Sequence, residues 1–448
     1  MSYILDTESK INMPKKAQHP AVEEFFSNYT YGTKWSLCFD SSDNCITIGE
    51  YTKTELEGAE YVLNITKSGI YIAGCDYPAL MHGFMTFLEK IKYNEKDESF
   101  YLEECLIREN IEIKFRSTHF CIFPETKLDF LRKCIRSCAI VKNTHIVLEF
   151  WGMFKFDCLK ELGWPFAYSK EQIKEVVDEA NALGIEVIPM FNHLGHASSC
   201  RGINGKHVVL DQNPRYEYLF ESYGWVWDIK REDVKQLHRN IRKELIEVCG
   251  EGKYFHLGCD EAYSYGHNTQ KAEELACYLN EVSKELKQMG RRGILWHDMI
   301  LSNDNFKGYI ANASQEVSDV LTEKLDKDFI IAVWQYSYVG ETWKSVQPFI
   351  DKGFKVLCCP WDNFDNIVDA VKTVKEKNTL GIMHTTWHTL YRGFSKMVFA
   401  GKVSYDLSIA NNIDERNFYA HQVARKAMPS HGNYGNSGWS EIMVGPGL

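Results

Sequence analysis

Hydrophobic and polar positions follow two different rhythms along this 448-residue chain, and the rhythm changes near residue 111. Before it, Cys45-Ile46-Thr47-Ile48 and Tyr61-Val62-Leu63-Asn64-Ile65 read as strands. Lys67-Ser68-Gly69 is a turn, and Ile70-Tyr71-Ile72 continues a hairpin. Pro78 then opens an apolar helix through Phe84, Phe87 and Leu88. These elements predict a small α/β domain over 1–108. After it, eight short apolar segments predict strands at 111–120, 144–150, 185–193, 254–261, 293–300, 329–336, 354–360 and 380–387. Amphipathic helices separate many of them. Ser169 and Gln172 form a capping box, Ile173, Val176, Val177, Ala180 and Leu183 share a face, and Gly184 stops the helix. Val234, Leu237, Ile241, Leu245 and Val248 repeat that pattern.

Eight strand–helix units predict a (β/α)8 TIM barrel over 109–425. The competing fold is a doubly wound open sheet, but no Gly-rich phosphate loop follows the first strand. Residues 426–448 are rich in Gly, Ser and Asn and read as a C-terminal tail.

Charge narrows the partners. The formal net charge of -10 argues against nucleic acid or an anionic membrane, both of which need a basic footprint. No stretch of about 18 apolar residues is present to span a bilayer. The 14 cysteines show no zinc or redox spacing, and the start Met1-Ser2-Tyr3-Ile4-Leu5-Asp6 lacks the basic and apolar regions of a signal peptide. The expectation is a cytoplasmic enzyme with reduced thiols, no metal and no other cofactor.

Barrel chemistry gathers where strands end. Those positions hold Arg116, His119, Glu149, Trp151, Asn192, His193, His196, His256, Asp260, Glu261, Trp296, Asp298, Trp334, Tyr336, Trp361, Trp387 and His388. Tryptophans suit the faces of a sugar ring, and carboxylates suit acid–base work on a glycosidic bond. The sharpest feature is Asp260-Glu261, which follows an apolar strand and Gly258. Adjacent side chains on a strand diverge, so the two carboxylates are expected to serve different atoms, and Cys259 to face the outer helices.

The run His256-Leu257-Gly258-Cys259-Asp260-Glu261 resembles the fourth-strand signature of glycoside hydrolase family 20, the β-N-acetylhexosaminidases. The stretch from Ile188-Pro189 to Gly195-His196, Lys114-Phe115-Arg116 on strand one, and Gly293-Ile294-Leu295-Trp296-His297-Asp298 on strand five are similar to that family in the same order. The N-terminal unit resembles the small domain before the family's barrel. Cys259 replaces the motif's second glycine. On strand two, Leu148-Glu149-Phe150-Trp151 stands where the family has His-Leu-x-Asp-Asp, and Trp387-His388-Thr389 replaces its last Trp-x-Glu. With these departures the pattern looks closer to a divergent, cytoplasmic-type branch of the family.

The resemblance implies a retaining exo-glycosidase acting on an N-acetylhexosamine-terminated glycan, with the substrate's own 2-acetamido group as nucleophile. It makes Glu261 the general acid and base, has Asp260 orient the acetamide, and suggests Tyr336 for the acetamide oxygen. Arg116 would bind ring hydroxyls. His196 would bridge carboxylates, with Glu149 as a partner. His256 would line the site, and Trp296, Trp334, Trp361 and Trp387 would wall it. The aromatic segment 216–227 reads equally as an aglycone contact, a packed loop or the interface of a homodimer. Two other functions fit the same barrel: a metal-dependent hydrolase using His193, His196, His256 and Asp260, and a non-catalytic sugar-binding protein.

Overall fold

The computed structural model describes residues 2–199, 205–221, 224–337 and 339–428. Of the tail predicted at 426–448, residues 429–448 lie outside them, and Lys426 closes the helix Ile413–Lys426. Two sheets precede a barrel. A six-stranded sheet runs in the order Leu37–Ser41, Ile11–Pro14, Cys45–Gly49, Gly69–Gly74, Tyr61–Ile65, Cys105–Glu109. A three-stranded sheet joins Ser2–Leu5, Ser99–Glu103 and Lys92–Asn94. Several of these strands are short and half-exposed, so they leave little periodic signal in the sequence.

The Pro78 helix spans Tyr77–Lys90, capped by the Asp76 side chain. It lies on the six-stranded sheet, where a Cβ at Gly83 would stand 2.8 Å from Ile72. On its other side Met81 meets Gly184, and the Tyr77 hydroxyl donates to the Ala182 carbonyl. The helix therefore ties the leading sheets to the barrel.

All eight expected barrel strands form, and they close into a parallel barrel. They are Phe115–Ile122, His145–Phe150, Glu186–Met190, Tyr254–Gly258, Arg292–Trp296, Ile330–Trp334, Lys355–Cys359 and Gly381–Thr385. Pairing of Phe115 with Gly381 closes the ring. Strand alternation sorts the two faces. Val147, Ile188, Ile294, Ile330, Leu357 and Met383 fill the interior, while Ile146 and Leu148 join the outer core under the helices. The same alternation turns Glu149 inward at the top of strand two. The capping box at Ser169 and Gln172 is present, opening helix Lys170–Ala182. No helix among the described residues is long and apolar enough to cross a membrane.

Candidate active site

The fourth barrel strand ends earlier than its apolar pattern suggests. It stops at Gly258, after a register shift between His256 and Gly258. Gly258, Cys259 and Glu261 then adopt positive φ of 66°, 72° and 51°. A bulge and left-handed residues of this kind re-aim side chains. The expected divergence of Asp260 and Glu261 is therefore wrong: His196 Nε2 lies 3.5 Å from Asp260 Oδ2 and 3.0 Å from Glu261 Oε2. Alternation fails because neither residue is on the strand. Cys259 is buried, as expected of a packing residue.

Neighbouring loops hold this turn. A Cβ at Gly258 would stand 2.7 Å from Asn192, and one at Gly195 only 2.1 Å from the Asp260 carbonyl oxygen, so both glycines allow the loop after strand three to press on it. Asn192 Oδ1 accepts from the Cys259 amide at 3.0 Å, and its Nδ2 donates to Asp260 Oδ1. The Glu261 amide donates to Asp298 Oδ2 at 2.9 Å. Trp225 Nε1 donates to the Glu261 carbonyl at 2.8 Å. The general-acid candidate is thus pinned at both its peptide groups. Trp225 belongs to the aromatic segment 216–227, and Trp227 from the same segment is buried with its Nε1 donating to the Asn192 carbonyl. Both tryptophans are spent on packing behind the turn that carries Asp260 and Glu261.

The turn opens into a cavity of about 450 Å³. Trp334, Tyr336, Trp361 and Trp387 line it, facing His196, Asp260 and Glu261. The Tyr336 hydroxyl accepts from Trp387 Nε1 at 2.7 Å and lies 3.3 Å from Thr385 Oγ1, whose own proton reaches the Pro360 carbonyl at 3.0 Å. Burial pushes this phenol well above its ordinary range, so it stays protonated.

Four expected site residues, Arg116, Trp296, His256 and Glu149, are not in the cavity wall. Arg116 does not line the cavity; it sits near the start of strand one, with Nε donating to the Lys142 carbonyl and Nη1 to that of Ile113. Ring hydroxyls gather at the other end of a barrel, so the expected role is corrected. Trp296 is 1% exposed and lies behind Trp387, with ring centroids 5.6 Å apart. His256 is fully buried against Trp296, and its Nδ1 accepts from the Gly258 amide at 3.0 Å. Burial holds it well below the ordinary histidine value, hence neutral. Both support the wall from beneath.

Glu149 sits in a buried cluster. Its Oε2 is 3.1 Å from His119 Nε2 and accepts from Trp151 Nε1 at 3.2 Å and from the Cys121 thiol at 3.2 Å. Its Oε1 faces Lys206 Nζ at 2.7 Å. Burial alone would push this carboxyl up, but the Lys206 ammonium and His119 more than offset it and hold it well below the carboxylate range. Sequence reading missed Lys206, because a lysine in a polar loop reads as solvated. It is 1% exposed, and its amide donates to the His196 carbonyl at 2.7 Å, tying the loop to the site.

The described residues offer one ligand-capable group for a metal: His119, Cys121 and Glu149. The Lys206 ammonium already occupies that neighbourhood, and a second cation would be repelled. The set His193, His196, His256 and Asp260 does not converge. His193 uses Nδ1 on the Phe191 carbonyl and accepts at Nε2 from Arg242.

Asp298, fully buried under the turn, gives a pH test. Burial and the nearby Asp260 push its carboxyl up to about 7, against the Glu261 amide and Asn312, which pull it down. A raised carboxyl pKa means the folded state binds more protons than the unfolded state between about pH 4 and 7. The stabilising contribution is therefore full at low pH and lost as pH rises through about 7. Asp298→Asn is expected to gain stability relative to the parent between pH 5 and pH 8, by an amount on the order of 3 kcal/mol. Urea midpoints at the two pH values check this; an equal shift for both proteins would show that Asp298 does not titrate there.

Comparison with known proteins agrees with this architecture. Residues 151–404 match the description "Glycosyl hydrolase family 20, catalytic domain". A Lacto-N-biosidase of Bifidobacterium bifidum is 21% identical over 314 residues, 65% of this chain and 25% of that protein. A probable beta-hexosaminidase of Arthroderma benhamiae is 25% identical over 264 residues, 49% of this chain and 41% of that protein. The matches thus span less than half the length of these curated relatives. Among solved structures, the beta-N-acetylhexosaminidase from Bacteroides fragilis shares the fold with a TM-score of 0.67 and 16% identity, covering 94% of this chain and 90% of that one. The Exo beta-N-Acetylglucosaminidase from Vibrio harveyi in complex with N-acetylglucosamine gives a TM-score of 0.66 at 14% identity, over 93% of this chain and 73% of that one. With a family match over more than half its length, and with the cavity-lining carboxylates and tryptophans inside that match, this chain belongs to glycosyl hydrolase family 20.

Proposed function

We propose that the protein is a retaining exo-glycosidase removing terminal β-linked N-acetylglucosamine or N-acetylgalactosamine, with the substrate's 2-acetamido group as the internal nucleophile. The observation that carries this reading is the convergence of Asp260 and Glu261 on one His196 nitrogen, at the mouth of a tryptophan-walled cavity. Family 20 is one of the exceptions to the scheme with a carboxylate nucleophile, which supports giving the nucleophile's role to the substrate.

Glu261 then protonates the leaving oxygen and later deprotonates water as the acetamide oxygen closes on, and is released from, the anomeric carbon. Asp260 faces the acetamide N–H and stabilises the cationic ring intermediate. Tyr336 donates its phenolic proton to the acetamide oxygen. The 13 described cysteines are all free, which supports a reducing compartment such as the cytoplasm.

A panel of aryl glycosides tests the reading. Aryl β-N-acetylglucosaminide or galactosaminide should be cleaved, and plain aryl glucoside should not. A thiazoline mimic of the cyclic intermediate should inhibit. Equal cleavage of the plain glucoside, or indifference to the thiazoline, would remove acetamide participation.

A further inference from the structure

The cavity wall carries a buried ammonium, Lys206, with donor capacity to spare. Lys206 Nζ meets Glu149 Oε1 at 2.7 Å as a hydrogen-bonded ion pair, which spends one of its three N–H donors. Both side chains are buried, at 1% and 2% exposure. A buried ammonium with a further N–H facing a cavity points to a ligand group that accepts it. Lys206 lines the cavity itself, with Nζ 5.4 Å from the ring centroids of both Trp151 and Trp387, which also line it. Nζ is also 3.5 Å from Asp260 Oδ2.

A sugar held by this site needs its hydroxyls read. Arg116 is absent from the cavity, and His388 is the exposed strand-eight residue. Lys206 is the charged donor within the walls. We propose that Lys206, poised by Glu149, is a specificity-determining residue that donates to the sugar 3-hydroxyl. This rests on the proposed function, which puts the 2-acetamido group against Asp260. The 3-hydroxyl is the neighbour of that group on the ring, and Lys206 is the neighbour of Asp260 in the site.

The charged groups facing Lys206 are Glu149 and Asp260, and removing the lysine alone would bury an uncompensated carboxylate. The test therefore pairs Lys206→Met with Lys206→Met/Glu149→Gln, which keeps the cluster's charge balance. Each is assayed, beside the parent protein, on an aryl β-N-acetylglucosaminide and its 3-, 4- and 6-deoxy analogues. On the full substrate, kcat/KM of the double variant should fall about ten- to a hundredfold, the scale of a hydrogen bond to a charged group. On the 3-deoxy analogue the parent should already be slow, and the double variant no slower. On the 4- and 6-deoxy analogues the full loss should persist. Equal slowing on all four substrates, or a selective effect at position 4 or 6, overturns the inference. Failure of the parent protein to cleave the full substrate overturns the proposed function and this inference with it.

Discussion

Glu261→Gln is expected to lower kcat on aryl β-N-acetylhexosaminides by about two to four orders of magnitude, the usual range for a general acid–base group. The substitution keeps the side chain's size. It also leaves the two peptide-group anchors, the Glu261 amide on Asp298 and its carbonyl on Trp225, untouched. What it removes is the proton delivered to the leaving oxygen, and the base that later activates water. The loss should therefore grow as the leaving group becomes more basic. A dinitrophenyl glycoside, which departs without help, should suffer least in the first step, whereas an alkyl or glycan leaving group should suffer most. The check is kcat/KM across a leaving-group series. A variant that cleaves a poor leaving group at near-normal rate would remove Glu261 from the acid's role.

Asp260→Asn should be the second most severe change, with a loss of about a hundred- to a thousandfold, the scale seen when one preorganised electrostatic contact to a transition state is removed. Asp260 is buried, with Oδ1 receiving the Asn192 amide and Oδ2 facing His196 and Lys206. An asparagine cannot satisfy this ring of donors: its own NH2 must oppose either Asn192 or Lys206. It also removes the negative charge that a cationic oxazolinium needs beside it. The loss should therefore fall on the steps in which the acetamide takes part. Thiazoline affinity should weaken, while the leaving-group dependence stays close to that of the parent. A variant that binds the thiazoline as tightly as the parent would contradict the assignment. The two substitutions are thus separable by their readouts: Glu261→Gln alters the slope of rate against leaving group, and Asp260→Asn alters recognition of the cyclic intermediate.

Barrel, strand count and the position of the Asp260-Glu261 pair at a strand end could be read from the sequence because each rests on local order. Alternation with period two marks a strand, period 3.6 marks a helix, and neither needs knowledge of distant residues. Trp334, Trp361 and Trp387 were legible as walls for the same reason: a barrel puts strand ends on one rim. Trp296 and His256 share that rim in sequence, but depth in the barrel decides whether such a residue meets a ligand or supports its neighbour, and depth is a tertiary quantity. Arg116 shows the same limit at the opposite end of its strand. The convergence of Asp260 and Glu261 depends on a bulge and three left-handed residues, tolerated only because Gly195, Asn192 and Asp298 close around them. Lys206 is the clearest case. Nothing local distinguishes it from a solvated loop lysine. Only the folding of its loop onto His196 brings it against Glu149 and Asp260, where two carboxylates offset the cost of burying its charge. The amino-acid sequence by itself determined which chemistry the strand ends hold; tertiary structure alone decided which of those groups share one cavity, because burial and charge pairing are set by residues far apart in the chain.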